Sequence, residues 1–259
     1  MKAQRPWMQW PMATVIAFCA VAWVYVAYLA WGMANMGVGA EMLLMPAMVG
    51  WDGVDLFLVL LMWTLMMAAM MLPSALPMLR TFAALGRRTT PPSARSNTLV
   101  FAAGYVAVWG GFSVLATLGQ WGLLEVRLVS PMMEASSDWL GGLLLLGAGV
   151  YQLTPWKAAC LTRCRSPMAF LLAEWRQGWS GALKMGWWHG LYCVGCCWAL
   201  MLLLFVMGVM NLAWIVALSV LVLLEKRTTA KHWLPRASGT FFSIWGLFLL
   251  LQAGSGLAR

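Results

Sequence analysis

The chain has 259 residues, 63% of them apolar and 10% charged, with 17 Lys and Arg against 8 Asp and Glu for a formal charge of +9. A typical globular domain is about 45–50% apolar and about 25% charged, so this composition excludes a soluble enzyme, a disordered chain and a secreted disulfide scaffold. The basic residues are few and grouped, which argues against a nucleic-acid partner. What remains is an all-α, polytopic membrane helix bundle whose first partner is the lipid bilayer.

A helix crossing about 30 Å of hydrocarbon needs roughly 20 apolar residues. The first such stretch, 11–33, exceeds the run of about 7–15 residues in a signal peptide and reads as a retained helix; Cys19 within it reads as a small packing residue. The second, 56–79, carries Met62, Met66 and Met70 four apart, with Met67 and Met71 beside them. It then meets Pro73 and Pro77, which predict a break in the backbone ladder. The segment RRTTPPSARSN, 87–97, reads as a cytoplasmic loop. Spans three and four are expected at 98–124 and 138–156.

Residues 185–224 form a run of 40 without a charge, about twice one span. Gly208 and Asn211 near its middle predict a tight turn between helices at 186–208 and 211–225, with one kinked helix as the rival reading. A last span is expected at 237–257, for seven in a single domain, 1–259. With the N-terminus cytoplasmic and the C-terminus periplasmic, only Arg127 and Arg259 of the 17 basic residues fall outside, leaving 17 − 2 = 15 inside. Glu41, Asp52, Asp55, Glu125, Glu134 and Asp138 fall on the outer side. This is the positive-inside pattern of a bacterial inner-membrane protein, and an unsplit run at 185–224 would invert it. Several Trp, among them Trp31, Trp139, Trp156 and Trp187, fall near span ends and suit the interface.

Five of the six Cys are clustered. Cys160 and Cys164 stand four apart in CLTRC, and Cys193, Cys196 and Cys197 form CVGCC, with His189 one turn earlier. At 100° per residue the last four residues occupy an arc of about 100° on one helix face. Cytosolic thiols stay reduced, so such clusters point to metal or redox chemistry. Thiolate with imidazole suits Zn²⁺, Cu(I) or an iron–sulfur cluster, and the Met-rich face adds soft donors that favour copper over zinc. Met201, Met207 and Met210 recur less regularly. Against each motif stands the plain alternative that Cys and Met simply pack.

Glu225 and Lys226 close the sixth span and read first as interface charges that snorkel to water, the alternative being that the carboxylate pairs with Lys226 or supports a Cys/His site; His232 reads as a loop residue. Uncharged span interiors argue against a proton relay. No Ser-His-Asp order, P-loop or dinucleotide fingerprint is present, so the reading leans away from an enzyme.

MMAAMMLPSALPML (66–79), GVYQLTPWKAACLTRCRSPMAFL (149–171), GWWHGLYCVGCCWALMLLLFVMGVMNLAW (186–214) and LLEK (223–226) together resemble a bacterial family of predicted metal-binding integral membrane proteins. The resemblance runs from about residue 56 to 226. It implies candidate metal ligands at Cys160, Cys164, His189, Cys193, Cys196 and Cys197, with Met70 and Met71 as softer ones; the methionine stripe adds Met66. The leading expectation is a membrane protein handling a soft metal, copper before zinc, together with a membrane or soluble protein partner. The alternatives are an accessory subunit of a larger complex and a thiol–disulfide relay.

Overall fold

The computed structural model describes residues 9–35, 50–89, 93–127, 137–228 and 233–255. Each described element is helical. In chain order they are α1 (Gln9–Asn35), α2 (Gly53–Thr89), α3 (Ala94–Glu125), α4 (Asp138–Gln152), α5 (Pro155–Arg165), α6 (Pro167–Glu174), α7 (Gly178–Leu202), α8 (Leu204–Met207), α9 (Leu212–Arg227) and α10 (Trp233–Gly254). Five are long and apolar enough to cross a membrane: Pro11–Gly32 within α1, then α2, α3, α7 with α8 as Gly178–Met207, and α10. Where the fourth and sixth spans are expected stand the helices α4 and α9, of 15 and 16 residues, which are not among those five. At about 1.5 Å per residue they extend about 22 and 24 Å. Glu41, Glu134, His232 and Arg259 lie outside the described residues.

Asp52 starts α2. Its carboxylate accepts the N–H groups of Val54 and Asp55 at 2.8 and 3.0 Å, satisfying donors that a helix start leaves open. The break predicted at Pro73 and Pro77 does not occur, because α2 runs through both. Pro73 has no N–H to give the carbonyl of Ala69 four residues back, and Cys19 of α1 donates to that carbonyl instead, at 3.6 Å. Neighbouring helices restore backbone hydrogen bonds in this way inside membranes. The loop expected at 87–97 is shorter than read: α2 extends to Thr89 and α3 starts at Ala94. Arg87 and Arg88 sit in the last turn of α2, where the helix dipole favours cations.

The long apolar run does fold back on itself, α7 and the short α8 running up to Gly208 and α9 following it. Gly208 turns the chain at φ +88°, a conformation open to glycine and strained for other residues. Lys226 at the end of α9 then reaches Cys193 of α7 at 2.9 Å. Continued as one helix, those two residues would be about 50 Å apart, so the chain doubles back. The helix expected to reach residue 156 ends four residues earlier, at Gln152. Thr154 caps α5, its hydroxyl accepting the N–H of Lys157 at 3.3 Å, and Pro155 takes the first helical position, which it suits.

α2, α3 and α7 form the middle of the bundle, with α1 against α2 and α10 against α4. Methionine and aromatic side chains fill this core, including Trp63, Met66, Met67, Met70, Met71, Phe101, Tyr105 and Trp109. Gly186 of α7 faces the Phe101 carbonyl so closely that a Cβ there would collide with it. Small residues allow this approach between membrane helices, and it brings the thiols of α7 against α3.

Candidate metal centre

The CVGCC motif lies well inside α7, Cys193 being fifteen residues beyond Gly178. His189, Cys193, Cys196 and Cys197 are all buried. Cys160 and Cys164 are half-buried on α5. All six cysteines are free thiols.

α5 brings the second cluster up to the first. Lys157 pairs with Glu225 of α9 at 2.5 Å, both side chains at most 2% exposed. Arg165 donates from Nε to the Glu225 carbonyl at 2.7 Å, and the guanidinium of Arg163 lies 5.8 Å from the centre of the Tyr192 ring on α7. Gly195 completes the fit: a Cβ there would stand 2.8 Å from the Cys160 sulfur. Held in this way, Cys164 makes a long S–H···S contact with Cys196 at 4.0 Å.

A second sulfur pair forms across the other side of α7. Cys197 lies 3.8 Å from the Met71 thioether of α2. Tyr105 of α3 sits between the same helices, its hydroxyl 3.0 Å from the Cys193 sulfur and 3.2 Å from the Met71 carbonyl. Of the other predicted methionines, Met70 and Met66 are buried in the surrounding core; Met66 lies about 140° round the helix from Met71. His189 stacks on Tyr105 with ring centres 5.6 Å apart, and its Nδ1 has no hydrogen-bond partner. Among the described residues, no three His, Cys, Asp or Glu side chains close around one point as a metal cage does. The sulfurs are arranged as pairs.

The charges beside these pairs differ from the sequence expectation. Glu225 and Lys226 do not snorkel: they are 1% and 9% exposed. Glu225 turns to Lys157 and also accepts from Gln152 at 2.9 Å. Lys226 turns the other way and donates to Ser74 at 2.8 Å and to the Cys193 sulfur at 2.9 Å. Nothing local in the sequence signals this. Lys157 lies 68 residues from Glu225, and only the packing of α5 on α9 makes them partners. On α5 the Cys164 thiol is held well above its ordinary pKa by its contact with Cys196 and by burial, and burial also raises that of Cys160. Both thiols are thereby held toward their protonated form.

This arrangement can grip a soft cation between two sulfurs from different helices, with an ammonium and a phenol hydroxyl touching a third. No curated protein and no solved structure matches the chain. A family model described as PpoB2, copper chaperone, matches residues 60–249, a stretch that contains every residue of the cluster. The protein belongs to the PpoB2 copper chaperone family.

Proposed function

We propose that this is a multi-pass inner-membrane copper carrier that captures Cu(I) between sulfur pairs and passes it to a membrane or soluble protein partner. The observation behind this reading is the spacing of the sulfurs, 4.0 Å for Cys164 with Cys196 and 3.8 Å for Cys197 with Met71. Metal–sulfur bonds of about 2.3 Å place two ligands of one ion about 3.8 Å apart at a tetrahedral angle and about 4.6 Å apart when opposed. Both pairs therefore stand near the span an ion needs. Thiolate and thioether ligands select Cu(I), and a two-donor grip suits a cargo that must leave again better than the four-ligand cage of a structural zinc site. Cys164, Cys196, Cys197 and Met71 are the assigned ligands. Cys160, His189, Cys193, Met66 and Met70 are the further donors around them.

The charge pattern supports an N-terminus in the cytoplasm and a C-terminus in the periplasm. α4 and α9 then complete seven spans as short helices, which local thinning of the bilayer accommodates. The Cys164–Cys196 contact also favours a thiol–disulfide relay as a second reading; that reaction would have to close the pair from 4.0 Å to about 2.05 Å while its two electrons and two protons reduce a disulfide of a partner protein to two thiols.

Anaerobic titration of the detergent-purified protein with Cu(I) against a coloured Cu(I) chelator tests the proposal. Cu(I) should be retained, with one share lost in Cys164→Ser or Cys196→Ser and another in Cys197→Ser. Wild-type protein that retains no Cu(I) would overturn it.

A further inference from the structure

We infer that one face of α3 lines a hydrated crevice through which the copper cargo reaches the thiols from the end of the bundle remote from α5. This rests on the reading of the cluster as a Cu(I) site. Among the described residues, six buried side-chain nitrogen or oxygen atoms have no hydrogen-bond partner, and four of them follow one line. Gln120 Nε2, Thr117 Oγ1 and Trp109 Nε1 lie along α3, and His189 Nδ1 continues the line at the ring stacked on Tyr105. Ser113, also buried, stands between Trp109 and Thr117. At 100° per residue Trp109, Ser113, Thr117 and Gln120 fall within an arc of about 80°.

Two contacts fix where that face looks. Gln120 Oε1 accepts from Trp63 Nε1 of α2 at 2.6 Å, and Tyr105 donates to the Met71 carbonyl of α2. Between those two points α2 presents Met67 and Met70, both buried; Met67 lies on the helical arc that Trp63 and Met71 define, and Met70 about 20° beyond its Trp63 edge. A polar face on α3 thus runs beside thioethers on α2. From Gln120 to Tyr105 it extends about 22 Å, some three-quarters of a hydrocarbon core of about 30 Å.

Lipid supplies no hydrogen bonds, and a packed bundle rarely leaves buried donors unmatched. Water held against this face would match them. The same row gives a soft monovalent ion neutral sulfur ligands on its way to Met71 and Cys197. It offers no carboxylate to a hard divalent ion.

Substituted cysteines test this in sealed vesicles with the Gln120 end facing outward. A water-soluble, positively charged methanethiosulfonate is applied to Thr117→Cys, Ser113→Cys and Leu115→Cys, and labelling of each introduced site is read by mass spectrometry. Leu115 is 70% exposed on the outside of the bundle and serves as the comparison. Thr117→Cys and Ser113→Cys should label at least tenfold faster than Leu115→Cys. The attached label should then slow withdrawal of Cu(I) by an impermeant chelator at least fivefold. If both positions label no faster than Leu115→Cys, or label fully with Cu(I) withdrawal unchanged, the inference is overturned. Ser113→Cys decides the matter should Thr117→Cys fail to fold. Equilibrium Cu(I) retention by the unlabelled protein separates the two claims: with retention intact, only the route is lost, and without retention the metal site is lost as well.

Discussion

Replacing Glu225 with Gln tests whether α5 is clamped to the bundle by charge. The substitution keeps the shape and the hydrogen bond to Gln152, but it removes the negative partner of Lys157. That ammonium is 1% exposed, so its charge would be left in a low-dielectric interior with only neutral partners. Breaking one side of a buried pair costs about 3–5 kcal/mol, against about 0–1 kcal/mol for a pair at the surface. For a chain of this size each kcal/mol moves the melting temperature by about 2–4 °C, so thermal unfolding in detergent should fall by roughly 6–20 °C. The double variant Lys157→Met with Glu225→Leu should recover most of the loss, since an apolar pair of similar volume is often neutral or better. Cu(I) retention at the Cys164–Cys196 pair should fall with Glu225→Gln, because α5 carries Cys164. A melting temperature within about 2 °C of wild type would refute the claim that this pair is buried and holds α5 in place.

Met71→Leu conserves volume and should cost less than about 1.5 kcal/mol, while removing the thioether beside Cys197 and weakening Cu(I) capture there; titration beside a melting curve checks both. Gly186→Ala should destabilise by about 1–3 kcal/mol or more, because its methyl group would push against the Phe101 carbonyl and part α7 from α3. Cys19→Ala removes the donor to the Ala69 carbonyl and should lower stability by about 1 kcal/mol with Cu(I) stoichiometry unchanged. A lost equivalent of Cu(I) in that variant would show that Cys19 does more than support α2.

The helical class and the fold-back at Gly208 were legible in the sequence, since run length and a glycine at a turn are local signals. Pro73 and Pro77 misled because their effect is decided by neighbours: Cys19 from α1 answers the carbonyl that Pro73 leaves open, and the helix stays whole. The sulfur residues stood out by their spacing. Their division into two pairs did not, because Cys197 meets Met71 from 126 residues away and Cys196 meets Cys164 from 32. Glu225 and Lys226 were misread for the same reason. A charge at the end of an apolar run looks like an interface anchor until α5 and α7 are folded over it. Periodicity likewise places Trp109, Thr117 and Gln120 on one face of α3 without revealing that their polar atoms lack partners.

X-ray absorption at the copper edge of the Cu(I)-loaded protein tests the central claim most directly. A shell of two or three sulfur neighbours at about 2.3 Å is expected, with a sulfur lost in Cys196→Ser. A first shell of nitrogen or oxygen alone, or one that Cys196→Ser leaves unchanged, would contradict copper binding by the sulfur pairs.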